Sequence, residues 1–288
     1  MRPLLLLFVL ATCCLGADAA ALSAKGFKVT EKNGVITGLN GSTKGFTADD
    51  FKAIAAVTTL TQLSLDGGEV NDENLTRLAG LSALQTMSFN ATSFSDDGCK
   101  VFAGFPKLKS LALFHPSRSN PAFTGAGLAH LAALPEFESL TLAGANVGDP
   151  ALTAIATLPR LKSLRLWHNI ETADGLKALS SMTSLRKLTL GQRLAGRPAK
   201  PASLSDASLP SIAKITGLEE LTLQEARLSG DALMKLRDLP NLKKLTVSQV
   251  DTPAADVEKL KAALPKVTID WKPLTEEQAK TLTEKLKL

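Results

Sequence analysis

Histidine and cysteine are scarce in this 288-residue chain, at three each, and that scarcity removes most of the chemistry it could perform. No G-x-S-x-G, H-E-x-x-H, C-x-x-C or G-x-x-x-x-G-K-[ST] motif occurs. The stretch Gly41-Ser42-Thr43-Lys44-Gly45 has the composition of a phosphate loop without its spacing. Charge of one sign is also scarce. Lysine and arginine number 33 against 28 acids, and a net charge of +5 over this length argues against nucleic acid as the main partner. No apolar run reaches the ~20 residues of a membrane span. With 44% hydrophobic and 21% charged residues, the composition is that of a folded globular chain.

The N-terminus carries its own pattern. Met1-Arg2-Pro3 precedes an apolar run from Leu4 to Leu10 that continues weakly to Leu15, followed by Ala17-Asp18-Ala19. One positive charge, a short apolar stretch and an A-x-A site read as a secretory signal peptide cleaved near Ala19. The expectation is an exported, soluble chain, secreted or periplasmic in the cell envelope. Leu10-Ala11-Thr12-Cys13 resembles a bacterial lipobox, so anchoring as a lipoprotein through Cys13 is the alternative, although Thr12 is a poor residue before that cysteine. Cys13 and Cys14 leave with the signal. Cys99 then stands alone, without an intramolecular disulfide, in a column where other units place Leu75, Leu152 and Leu176, which predicts a buried, inert thiol.

What the chain has in abundance is a repeat. The pattern L-x-x-L-x-L recurs with central residues Leu63, Met87, Leu111, Leu140, Leu164, Leu188, Leu221 and Leu245, separated by 24, 24, 29, 24, 24, 33 and 24 residues. One further step each way reaches degenerate copies at Leu39 and Ile269. Alternation within each copy reads as a short strand with every second residue buried. About ten residues on, apolar residues recur at spacing three, as in Leu75/Leu78/Leu81 and Leu152/Ile155/Leu158, which reads as the buried face of a short helix. Just ahead of that face stands a column with Asn71, Ser95, Thr124, Thr172 and Ser229, with Asp72, Asp96 and Asp149 beside it, suited to an N-cap and a first helical turn. A strand-helix unit this small cannot bury its own apolar face, so neighbouring units must stack.

Over residues 36–271 the pattern resembles leucine-rich repeat proteins, most nearly the signal-bearing bacterial type with 24-residue repeats and consensus L-x-x-L-x-L-x-x-x-x-V-x-D-x-x-L-x-x-L-x-x-L-P-x. The resemblance implies an α/β solenoid, or horseshoe, with a parallel sheet on its concave face, short helices on its convex face, and binding in place of catalysis. The asparagine expected at the ninth position is replaced by Gly68, Thr92, Ala145 and Ala226 and kept at Asn169. The expected layout is a signal peptide (1–19), an N-terminal cap segment (20–35), the repeat domain (36–271) and a C-terminal capping helix (272–288). Thr275-Glu276-Glu277-Gln278 has capping-box spacing, and Ala279, Leu282 and Leu286 form a sparse apolar stripe.

Register also says which side chains face solvent on the sheet. One column runs Asp66, Asn90, Phe114, Ala143, Trp167, Gly191, Gln224, Ser248, so two large aromatics flank Ala143 and should leave a slot for one flat side chain. The neighbouring column is mostly serine and threonine, with Arg165 as its one charge, while His115 and His168 lie just past the strand ends. The two long units add loops at His115 to Ala122 and Gln192 to Ser203 on the same edge, carrying Arg118, Arg193, Arg197 and Lys200. Accordingly residues 100–199 have a net charge of +7, against −3 before them and +1 after. The candidate ligand-binding residues are therefore Phe114, His115, Arg165, Trp167, His168, Arg193 and Arg197. No metal site or cofactor is expected, since the two histidines stand two strands apart, ~10 Å, with no acidic or cysteine partner legible beside them. The function read from these features is an exported, non-enzymatic module that binds a protein or peptide, acidic in preference to basic, with a glycan as the other ligand class. Two alternatives are a structural cell-envelope component and an enzyme built on His115, His168 and Arg165.

Overall fold

The computed structural model describes residues 19–192 and 203–286. Eleven strands form one sheet in strict chain order: β1 (Lys28–Lys32), β2 (Val35–Ser42), β3 (Gln62–Asp66), β4 (Thr86–Asn90), β5 (Ser110–Phe114), β6 (Ser139–Ala143), β7 (Ser163–Trp167), β8 (Lys187–Gly191), β9 (Glu220–Gln224), β10 (Lys244–Ser248) and β11 (Thr268–Trp271). From β2 onward every pairing is parallel, and the central leucine positions stand opposite one another from Leu39 through Leu63, Met87 and Leu111 to Ile269. The two long units do not disturb this register: Leu111 still pairs with Leu140 and Leu188 with Leu221. A one-residue slip would turn the whole leucine set to solvent, so the surplus residues are expelled into loops. The core is one continuous cluster running from Leu22 to Leu264. Burying each leucine contributes roughly 1.5–3 kcal/mol.

The opposite layer is tighter than an α-helical reading implies. Ala48–Ala55, Asp72–Arg77, Asp149–Ala156 and Ala254–Ala263 are α-helical, but Gly98–Gly104, Ala126–Ala133, Gly175–Ser181 and Met234–Asp238 are 3-10 helices. A spacing of three suits both forms, since Leu152 and Ile155 lie in the α-helical Asp149–Ala156 while Leu176 and Leu179 lie in the 3-10 Gly175–Ser181, where side chains at i and i+3 eclipse.

Neighbouring units are tied by polar rungs as well as by leucine. The acids read as first-turn residues reach across to the cap residue of the following unit. Asp72 accepts from the N–H (2.7 Å) and hydroxyl (2.6 Å) of Ser95, and Asp149 from the N–H (2.9 Å) and hydroxyl (2.8 Å) of Thr172. Asp96 does the same for Thr124 and Asp206 for the Ser229 N–H. A small residue must follow, because a Cβ on Gly98 or Gly175 would lie 2.1 Å from Asp72 or Asp149 Oδ1. The asparagine rung survives at Asn169, which accepts from the Ala145 N–H (3.0 Å) and donates to the Leu142 carbonyl (2.9 Å).

Both ends of the described chain depart from the repeat. At the start, a helix (Ala19–Ala24) leads into the antiparallel hairpin β1/β2, turned by Asn33-Gly34 with φ of 53° and 73°. Asn-Gly is the strongest short hairpin signal in a sequence, and the repeat-centred reading passed over it. At the other end the helix Glu276–Leu286 is capped reciprocally: the Thr275 N–H donates to Gln278 Oε1 (3.0 Å) and the Gln278 N–H to Thr275 Oγ1 (3.2 Å). No helix among the described residues is long and apolar enough to cross a membrane.

Candidate functional site

The residue after each strand sets the geometry of the sheet's open rim. Ala91, His115, His168, Glu225 and Gln249 occupy this position with φ between 46° and 58°, joined by Gly144 at 67°. For residues bearing a Cβ this left-handed conformation costs roughly 1–2 kcal/mol each. It is held because the N–H of the turning residue still donates to the last carbonyl of the next strand, as His115 does to Ala143 (2.7 Å) and Glu225 to Ser248 (3.1 Å). The chain then turns away, leaving these side chains along one rim.

Most open-face positions are small and polar, and the middle of the sheet is different. The Arg165 guanidinium carbon lies 4.9 Å from the centroid of the Trp167 ring, and the Trp167 and His168 rings stack at 4.1 Å. Glu225 closes the stack from two strands away. Its Oε2 accepts from the Trp167 indole N–H (3.3 Å) and lies 2.7 Å from His168 Nε2. An ionised carboxylate oxygen can only accept, so this pair requires the His168 tautomer that carries its proton on Nε2. Glu225 is 9% exposed. Gly191 makes the reach possible: a Cβ there would stand 1.9 Å from Trp167 Cδ1.

That contact corrects the expected slot. The Trp167 ring lies over Gly191 toward β9, on the side away from Ala143, so the small floor the ring uses is Gly191. Phe114 and His115 form a separate group beyond β6. His115 Nδ1 lies 3.0 Å from Asn90 Oδ1, and Asn90 donates in turn to Asp66 (2.8 Å). The imidazole also packs on the backbone of Gly144, where a Cβ would meet its Cδ2 at 2.4 Å. Arg193, Arg197 and Lys200 lie outside the described residues, as do Cys13 and the proposed leader through Asp18. Among the described residues no three His, Cys, Asp or Glu side chains gather closely enough to hold a metal ion.

Sequence reasoning missed Glu225. It lies 57 residues beyond His168, yet occupies the same repeat position as both histidines, and that shared column was the available signal. The lone glycine of the neighbouring column, Gly191, was the second.

The two insertions flank this rim. In the first, buried Ser117 donates to the Phe94 carbonyl (2.5 Å), and Asn120 donates to the Ser93 carbonyl (3.0 Å), pinning the loop to the unit before it. The Asn146 side chain holds the Arg118 carbonyl from the other side (2.8 Å). A cleft of about 770 Å³ opens beside this loop, lined by Thr92, His115, Arg118 and Ser119 among others. At the base of the second insertion, Gln192 clasps the two ends: its Oε1 accepts from Ser203 N–H and Oγ (2.9 Å each), and its Nε2 donates to the Leu204 carbonyl (2.8 Å).

Comparison with solved structures places this architecture. An internalin (inlF) from Listeria monocytogenes str. 4b F2365 superposes with a TM-score of 0.53 at 19% identity, over 77% of this chain and 57% of its own. The fold is a leucine-rich repeat solenoid. An internalin C2 (inlC2) from the same strain matches at 20% identity with a TM-score of 0.43, over 74% of this chain and 80% of that one. The solenoid thus spans little more than half the length of the inlF protein. No family model and no curated protein matches the chain.

At the opposite rim of the solenoid, charges are mutually satisfied. Lys162 pairs with Glu138 (2.6 Å), Lys243 with Glu219 (2.6 Å) and Lys187 with Glu220 (2.8 Å), all substantially exposed. Such pairs contribute little individually.

Proposed function

We propose that this chain is a non-enzymatic, exported binding module that recognises a protein or peptide partner through the open face between β5 and β9 and the two adjoining loops. In this reading residues 1–19 are a cleaved leader, 20–35 and 272–288 close the ends of the repeat domain 36–271, and the candidate contacts remain Phe114, His115, Arg165, Trp167, His168, Arg193 and Arg197. The observation that carries it is the concentration of large side chains, Arg165, Trp167 and His168, in one ordered stack, beside a column that is otherwise serine, threonine and alanine from Ser64 to Thr246. Trp and Arg are the residues in which interface energy concentrates. Extended solenoid faces present such anchors without reorganisation. The surplus of basic residues in the middle third favours an acidic partner. Both rim histidines are engaged with neighbours, Asn90 and Glu225, which suits anchoring better than acid-base turnover.

The test is affinity capture from the extracellular or envelope fraction, followed by titration of the captured partner. Trp167→Ala should cost at least ~2 kcal/mol of affinity with little change in melting midpoint. Ser248→Ala, in the same column three strands on, should cost almost nothing. If Trp167→Ala lowers the melting midpoint steeply and leaves affinity per folded molecule intact, the reading is wrong.

A further inference from the structure

Arg165 is unlike the other charged side chains around it. It is half-buried, and among the described residues it forms neither a hydrogen bond nor an ion pair; its one specific contact is the face of Trp167 at 4.9 Å, and its Nε is buried without an acceptor. Elsewhere guanidinium and ammonium groups near carboxylates do pair, as Arg227 does with Asp251 (2.7 Å). A carboxylate is drawn into this stack, but it is not given to Arg165. Glu225 Oε2 accepts from the indole N–H of Trp167 and lies 2.7 Å from His168 Nε2, so this oxygen holds the two rings. The result is a guanidinium over the Trp167 ring, without a carboxylate partner among the described residues, flanked by the short side chains of Thr141 on β6 and Thr189 on β8.

We propose that Arg165 is a carboxylate receptor for an aspartate or glutamate side chain in an extended acidic segment of a partner protein, and that Glu225 is the positioning residue that holds it in that pose. The inference rests on the open face being the binding surface. A guanidinium presents its N–H groups as a fork that matches a carboxylate with two parallel hydrogen bonds, which an ammonium cannot do. Stacking on Trp167 restricts the long side chain before the partner arrives, so less freedom is lost on binding. Release of Glu225 would free the Trp167 ring and, with it, the orientation of Arg165.

Panning random peptides on the exported chain, followed by calorimetric titration of the consensus peptide and its Asp→Asn or Glu→Gln analogue, tests this. The expected consensus contains an acid, and its amide analogue should bind the native chain at least tenfold more weakly. Arg165→Lys should reduce that acid-over-amide ratio severalfold, and Arg165→Gln should abolish it. Glu225→Ala, which removes the acceptor oxygens, should lower the ratio severalfold, while Glu225→Gln, which keeps one acceptor oxygen, should largely preserve it, a split in selectivity that a merely structural role would not produce. Gly191→Ala, which displaces the ring directly, should act in the same direction as Glu225→Ala. If consensus peptides depend on Trp167 but the ratio survives Arg165→Gln, the receptor is refuted while the open-face reading stands. If the ratio falls with Arg165 but is untouched by Glu225→Ala, the positioning role is refuted. If no peptide is enriched, or none weakens in Trp167→Ala, the open-face reading itself falls and this inference falls with it.

Discussion

A single side chain in this protein is defined by its column before it is defined by its neighbours in sequence. Cys99 shows the principle at its simplest. It is fully buried, with its thiol against the Ser95 carbonyl (3.5 Å). Burial pushes its pKa well up, and the nearby Asp96 and Asp72 carboxylates push it further the same way. Both effects disfavour the reactive thiolate. Native chain should therefore react with a thiol reagent orders of magnitude more slowly than chain in denaturant. Rapid stoichiometric labelling without denaturant would contradict the burial. Glu225 shows the same principle in reverse: its column put it two strands from His168, and the empty space at Gly191 lets the Trp167 ring lean toward it.

At the scale of an element, the short helices are held less by their own length than by the units on either side. A seven-residue 3-10 segment such as Gly175–Ser181 has too few internal bonds to persist alone. Its cap is Thr172, whose hydroxyl accepts from the Gly175 N–H (3.0 Å) while both its N–H and its hydroxyl donate to Asp149 in the preceding unit. Asp149→Ala removes both acceptors at once. A loss of about 0.5–2 kcal/mol is expected, the range for helix caps. Asp174→Ala, which removes only an exposed pair with Lys177, should stay within about 0.5 kcal/mol. Urea titrations of the two variants check this, and equal losses would show that the rung between units carries no special weight.

At the scale of the whole molecule, each unit touches chiefly its two neighbours, so stability is a chain of interfaces. Leu164 lies near the middle of that chain, 1% exposed, paired with Leu140 and Leu188. Leu164→Asp would bury an unpaired carboxylate there, and should abolish the single cooperative melt. Thr189→Asp, on the open face next to Leu188, should melt almost as the native chain does. Circular dichroism melts that were equally damaged in both would contradict the register. The same linear construction explains why the two insertions are tolerated: they leave from the rim, where Ser117, Asn120 and Gln192 fasten them, and the leucine ladder passes beneath without a step.

The sequence by itself determined the order and register of strands β2 to β11, the buried leucine columns, the burial of Cys99 and the edge from which both insertions depart. It could do so because a repeat turns long-range pairing into a fixed offset along the chain, so that a distance in sequence becomes a place in the sheet. The spacing of three read as the buried face of a short helix, without separating the α-helical units from the 3-10 ones. What only the tertiary structure decided is how side chains in different units lean toward one another. Offset arithmetic locates a Cα atom but not a rotamer, and it cannot say that Trp167 turns from Ala143 toward Gly191, that Asp149 reaches forward to Thr172, or that Glu225 completes a stack begun two strands earlier. Those choices rest on free space and unsatisfied hydrogen-bonding groups, which exist only once the units have been packed together.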